Sequence, residues 1–268
     1  VKAGLAGVGV TSLNANVSAK TDVTINPTNL KTDNLNVFSK LNRTANVGSE
    51  SGSLSAIELS TLDMDAYAGG SNTITIAGNT EVEKAINVQL GDKANVNTSI
   101  MNQSISLVGA NVNTADAVID TDTTINIGGN LSMDNMTVNS NVERNTVNSS
   151  ESSGGGFVDV NSYKMTTNSG GDSTINITAN IQGDSKNAVD VTSTAKNTAN
   201  TRISSKSAGL AAIAKNETKN TITATNKINV NGANIKTNGG DVSIKADSEN
   251  RVLMRQNEQG AGAIVIRG

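Results

Sequence analysis

The sequence predicts an all-β chain, a parallel β-helix (β-solenoid) built from about five double-coil repeats of roughly 50 residues. Three observations predict it: two independent series of apolar pairs recur with one period, the pairs sit in runs that alternate apolar and polar residues, and Gly/Asn clusters separate the runs. Alternation with period two is the signature of a strand with one buried face. Gly and Asn accept positive φ, so their clusters mark turns.

The elements follow in chain order. The apolar run from Ala3 to Val10 is too short to span a bilayer and reads as an inward strand with a Gly-rich turn. A first anchor begins at Val23-Thr24-Ile25 and returns at Ile74, Ile125, Ile175 and Ile222, in steps of 51, 51, 50 and 47. A second anchor begins at Leu35-Asn36-Val37 and returns at Ile86, Met136, Val189 and Val242, in steps of 51, 50, 53 and 53. A third, looser anchor lies in Gly/Ala-rich surroundings at Val8-Gly9-Val10, Ile57, Ala110-Asn111-Val112, Val158-Asp159-Val160, Ile213 and Ile264-Val265-Ile266. Turns fall at Gly69-Gly70, Gly128-Gly129-Asn130 and Gly170-Gly171-Asp172. The chain divides into a partial repeat, 1–22, and repeats 23–73, 74–124, 125–174, 175–221 and 222–268, which form one rod over 1–268.

A strand of four or five residues with one apolar face needs a copy of itself above and below to bury that face. About 50 residues suit two coils of roughly 25, whose strands pair in parallel about 4.8 Å apart, so ten coils would make a rod near 50 Å long. A propeller blade is the other architecture of this period, but it carries recurrent aromatics. Here Phe38, Phe157, Tyr67 and Tyr163 do not recur with the repeat. Helix is disfavoured by the Asn, Thr, Gly and Ser content and by the lack of a 3.6-residue apolar period. About one residue in seven is Asn and aromatics make up 1%. A narrow core of Val, Ile, Leu and Ala fits this, with Asn, Ser and Thr stacking as hydrogen-bonded ladders at turns and on outer faces. A disordered polar tract would combine low hydrophobicity with high net charge; this chain is 35% hydrophobic with a net charge of −3.

Without cysteine or histidine the chain has no disulfide framework and no thiolate or imidazole site. Its interspersed charges and pI near 5.1 argue against a nucleic-acid partner. The chain opens without an initiator Met and both opens and closes in a third-anchor module, so it reads as a fragment excised in phase, whose cut ends would associate end to end.

The run Gly4-Leu5-Ala6-Gly7-Val8-Gly9-Val10, the Asn/Ser/Thr-rich segment leading to Asp22-Val23-Thr24-Ile25, and the module Gly239-Gly240-Asp241-Val242-Ser243-Ile244 resemble the large secreted filamentous adhesins of the leukotoxin and filamentous-haemagglutinin type, exported by two-partner (type V) secretion. That resemblance implies a right-handed parallel β-helix, secreted or displayed at a bacterial surface, that meets a host-cell or extracellular-matrix receptor in virulence. The expected function is a stiff shaft segment, with a leukocyte-directed toxin segment as the alternative and a carbohydrate-active enzyme a distant third.

Candidate chemistry is sparse, and no catalytic, cofactor or metal residue is expected. Asp63 with Asp65, and Asp120 with Asp122, could each share a strand face as a glycosidase carboxylate pair would, yet both read as solvated turn acids. Asp120-Thr121-Asp122 and Gly239-Gly240-Asp241 offer oxygens to calcium without the per-coil Gly-Gly-x-Gly-x-Asp spacing. Sequons such as those at Asn42, Asn97, Asn102, Asn135, Asn148, Asn176 and Asn216 are expected by chance in a chain this rich in Asn, Ser and Thr. Thr73-x-Thr75 is too irregular along the stack to form an ice-binding face.

Overall fold

The computed structural model describes residues 2–183 and 188–267. Their strands are β1 (Lys2–Ile25), β2 (Leu30–Ile76), β3 (Asn79–Ile127), β4 (Asn130–Ser132), β5 (Asn135–Gly170), β6 (Asp172–Ile177), β7 (Asn180–Gln182), β8 (Ala188–Ile222), β9 (Thr225–Val230), β10 (Asn234–Lys236), β11 (Val242–Ala261) and β12 (Ile264–Arg267). Every pairing is parallel, and each strand pairs with the corresponding stretch one repeat away. The chain is therefore all-β and solenoidal, as the period demands.

The coil is twice as long as the sequence suggested. Ile74 pairs with Ile125 and Ile125 with Ile175; Ile86 pairs with Met136 and Met136 with Val189. One circuit thus uses the whole repeat, with full circuits at 30–76, 79–127, 130–177 and 180–230. The expectation of two coils per repeat and ten in all is corrected, and the rise falls to about half the expected 50 Å at the same 4.8 Å spacing. The reason lies in the period itself. Rows stack like on like at an offset near 50, whereas an offset of 25 would set anchors on unrelated residues.

Each circuit is flattened into two facing walls. Ser39 reaches Asn72 across it at 2.5 Å, Ser140 approaches Ser173 at 3.4 Å and Asn148 donates to the Ala115 carbonyl at 2.7 Å. The first and second anchors, on opposite walls, meet in one cluster: Ile74, Ile76, Ile86, Val88, Ile125, Ile127, Met136, Val138, Ile175, Ile177, Val189 and Val191. Burial of each such side chain is worth about 1.5–3 kcal/mol. A second cluster, of Ala45, Val47, Met64, Ala66, Ala94, Val96, Ala115, Ala117, Ile119 and neighbours, lies farther along the walls. The small side chains there let the walls close up.

At the Ile-rich end, parallel bonding carries round the corner: Gly128 N donates to Ile76 O at 2.8 Å and Asn130 N to Gly78 O at 2.9 Å. Gly78 and Gly129 take φ values of +83° and +82°, and a Cβ on Gly129 would lie 2.0 Å from Gly78 O. The expected Asn ladders are present. Asn130 donates to Asn79 and Asn180 to Asn130 at 2.8 and 2.9 Å, while Asn176 donates to Asn126 and Asn229 to Asn176, both at 2.9 Å. Ile175 and Ile177 point inward and Asn176 outward, in the register the alternation dictates.

Candidate functional site

Two features depart from an apolar core with a polar surface. The first is a polar seam between the two apolar clusters. Arg43 on one wall pairs with Asp92 one circuit on, Nη1 to Oδ1 at 2.6 Å, and both side chains are buried. Arg144, a further circuit on, donates to the Thr121 hydroxyl at 2.9 Å, the Thr121 carbonyl at 2.7 Å and Asn197 at 3.2 Å. Gly171, at φ +111°, lies beside this reach, and a Cβ on it would strike Thr121 O at 2.1 Å. Burial pushes the Asp92 carboxyl above its ordinary range, although the Arg43 guanidinium opposes the shift. The Asp92–Arg43 hydrogen bond is charge-assisted, but both groups are buried to form it, so the pair adds little net stability over an apolar pair of similar size.

The second feature is the Gly-rich tip at the far end of each circuit, where the third anchor lies. The sequence places the third-anchor apolar residues inward, and the structure corrects this: Val8, Val10, Ile57, Val112, Ile264 and Ile266 are exposed. In the second circuit Asn102, Ser104, Ser106, Asn111 and Asn113 point inward, while Met101, Ile105, Leu107, Val108 and Val112 point outward. Apart from a slip at Leu107-Val108, where both residues face outward, the alternation is kept but its polarity is reversed. Inside the tip Ser60 donates to Asn111, Asn111 to Asn161 at 3.1 Å and Asn161 to Asp159 at 3.0 Å, a ladder like those on the outer walls. Burial, with Glu58 adding to it, pushes Asp159 upward, and burial does the same to the Tyr163 hydroxyl among Ser152, Asn113 and Ser150. Glu58 and Asp159 share a row with Gly109 between them. Outside, Leu54 pairs with Ile105 and Ile57 with Val108; between these pairs Leu107, Phe157 and Leu210 follow one another up the stack. Ile105, Leu107, Phe157 and Leu210 are 64, 61, 60 and 53% exposed, so the stripe is a surface.

The acids singled out from sequence do not converge on a cleft. Asp63 and Asp65 share an outward strand face: Asp63 accepts from Thr114, and Asp65 is raised by slight burial and then by Asp63 and Asp116. Asp120 and Asp122 are exposed on a continuous strand rather than in a turn, and Asp122 accepts the Asp172 backbone N–H at 2.9 Å. Gly239-Gly240-Asp241 does lie in a turn, where Gly240 N donates to Thr237 O at 2.9 Å. Among the described residues, no three carboxylate, His or Cys side chains gather as a metal ligand set. Of the sequons, Asn148 and Asn102 face the interior. A cavity of about 710 Å³ at the tip beside β1 is lined by Glu50 and Glu58, with no aromatic among its lining residues on which a sugar ring could stack. Sequence reasoning missed the Arg43–Asp92–Arg144 seam. Its signal was present as charged residues at inward phase within the second anchor's strands.

The chain matches no protein-family model, no curated protein and no solved structure. Among the described residues no helix is long and apolar enough to cross a membrane.

Proposed function

We propose that this chain is a stiff shaft segment of a secreted or surface-displayed bacterial filamentous adhesin, one that holds binding sites away from the cell and does no chemistry of its own. The observation that carries the reading is the parallel register, which runs through the stack with one shift between Thr32 and Asn34 in the pairing of β2 with β3. From β1 to β12 each circuit hands its backbone hydrogen bonds to the next, and rows of Ile, Asn and Thr continue through the stack. Such a quasi-one-dimensional stack resists bending because every contact is between neighbours and all lie along one axis. The sequence resemblance to filamentous adhesins supports the cellular setting.

The test couples mechanics to cells. Stretched between its termini in a single-molecule trap, a shaft keeps a fixed extension until whole circuits peel away in steps of about 50 residues. Added to host leukocytes, the same chain adheres or stays inert. Smooth, compliant extension contradicts the shaft reading, and lysis of the leukocytes favours the toxin alternative.

A further inference from the structure

We propose that the apolar crest of the tip is an interface between two copies of this chain, paired side by side and antiparallel. The summit of the crest is free of exposed charge: residues 103–108, 153–158 and 207–211 contribute Ile105, Leu107, Val108, Phe157, Val158 and Leu210 among Gly, Ser, Ala and Gln. A contiguous stripe on the order of several hundred Å² is uncommon on a free surface and marks a place of association. Because rows repeat up the stack, the stripe is straight and can meet a copy of itself along its whole length.

The shoulders of the crest identify the occupant. In the first full circuit they carry only acids, with Glu50 on one side and Asp63 on the other; the segment 44–80 contains no Lys or Arg. In the fourth circuit the same shoulders are basic, with Arg202 and Lys206 on the first side, Lys215 and Lys219 on the second, and Glu217 the lone acid. Glu50 follows the row of Met101, Glu151 and Ser204, two positions from that of Lys206; Asp63 follows the row of Thr114, Lys164 and Glu217, two positions from that of Lys215. A two-fold axis across the crest reverses the stack and keeps each shoulder on its own side. Glu50 of one copy then faces Lys206 of the other, Asp63 faces Lys215, and both contacts occur twice, as an isologous interface requires. An anionic lipid surface would be served by basic shoulders throughout and repelled by the acidic circuit. The pairing does not depend on the shaft reading, since it concerns the flank of the stack and not its ends or its cellular role.

Sedimentation equilibrium of the purified chain tests this. The parent should associate to a dimer that weakens as salt is raised. L107S/F157S should weaken it at least tenfold with an unchanged β spectrum. K206E/K215E and E50K/D63K should each be monomeric alone and should pair one to one when mixed, which end-to-end stacking does not predict. A monomeric parent at high concentration, association unaffected by L107S/F157S, or failure of the mixed charge variants to pair would overturn the proposal. So would a monomeric parent that floats with neutral phosphatidylcholine vesicles, which would make lipid the occupant.

Discussion

The Ile-rich end of each circuit and its Gly-rich tip are built from the same alternating strands, yet they bury opposite halves of them. At the Ile-rich end, Ile74, Ile125 and Ile175 fill the interior while Thr75, Asn126 and Asn176 form the outer ladder. At the tip, Ser104, Ser106, Asn111 and Asn161 fill the interior while Ile105, Leu107 and Phe157 face outward. The inward phase runs without a break from Ile86 to Ser106 and from Asn111 to Ile127, so what changes toward the tip is the residue type at the inward positions and not the phase of the strand. Alternation identifies a strand, but it does not say which half is inside.

The largest expected effect breaks this comparison directly. Ile175→Asp puts an unpaired carboxylate among Ile125, Ile177 and Val189 and should cost several kcal/mol. Ile105→Asp, equally apolar in sequence, should change the stability of the monomer by no more than about 0.5 kcal/mol. Denaturant midpoints of the two variants decide it, and equal losses would mean that the tip is not inverted.

The seam between the two ends should respond next. Asp92→Ala leaves the Arg43 guanidinium buried without its partner and should cost about 3–5 kcal/mol. Replacing the pair together, Arg43→Met with Asp92→Leu, should recover most of that loss. If the double variant is as damaged as the single, the charges stabilise more than burial theory allows.

A smaller effect is the pH profile. Asp92 and Asp159 both have native values raised above 3.8 by burial. Between 3.8 and those raised values the native state holds protons that the unfolded chain has released. The stabilisation is complete below the unfolded value and is lost as pH rises through the native one. The urea midpoint should therefore climb as pH is lowered from neutrality toward 4, and Asp159→Asn should flatten part of the slope. A midpoint that falls on mild acidification would contradict the buried placement of these acids.

The smallest effect is at the outer ladder. Asn176→Asp loses a neutral hydrogen bond to Asn126 in a half-exposed row and should cost under about 1 kcal/mol. The contrast with Ile175→Asp one residue away measures the inward register at that end.

The sequence carried the Ile-rich end almost completely. The first and second anchors name the core residues and their like-on-like spacing fixes the rows, except that the row of Ile175 continues at Ile228 and not at Ile222, which pairs with Ser169; the Gly128-Gly129-Asn130 cluster marks the corner. It did not carry the coil length, because tight turns within a repeat suggested two short coils, whereas the two anchors face one another across one long coil. Nor did it carry the tip, where Ile105 and Leu107 look like core to any hydropathy argument. Only the walls' joint geometry places Asn111 and Asn161 inside, where each can satisfy the other in a ladder. The pairing of Arg43 with Asp92 was not legible, because partners 49 residues apart are not neighbours in sequence.

Engineered disulfides report whether one circuit uses one whole repeat. The chain has no cysteine, so introduced pairs report without background. Thr75→Cys with Asn126→Cys joins outward residues that are directly paired on adjacent circuits. Their separation, one strand spacing of about 4.8 Å, lies within the reach of a disulfide, about 4.4–6.8 Å between Cα atoms. Thr75→Cys with Ser99→Cys would be adjacent only if the coil were half as long. Under native conditions the 75–126 pair should oxidise rapidly and completely, and the 75–99 pair should not oxidise. The reverse result would contradict a circuit of one whole repeat.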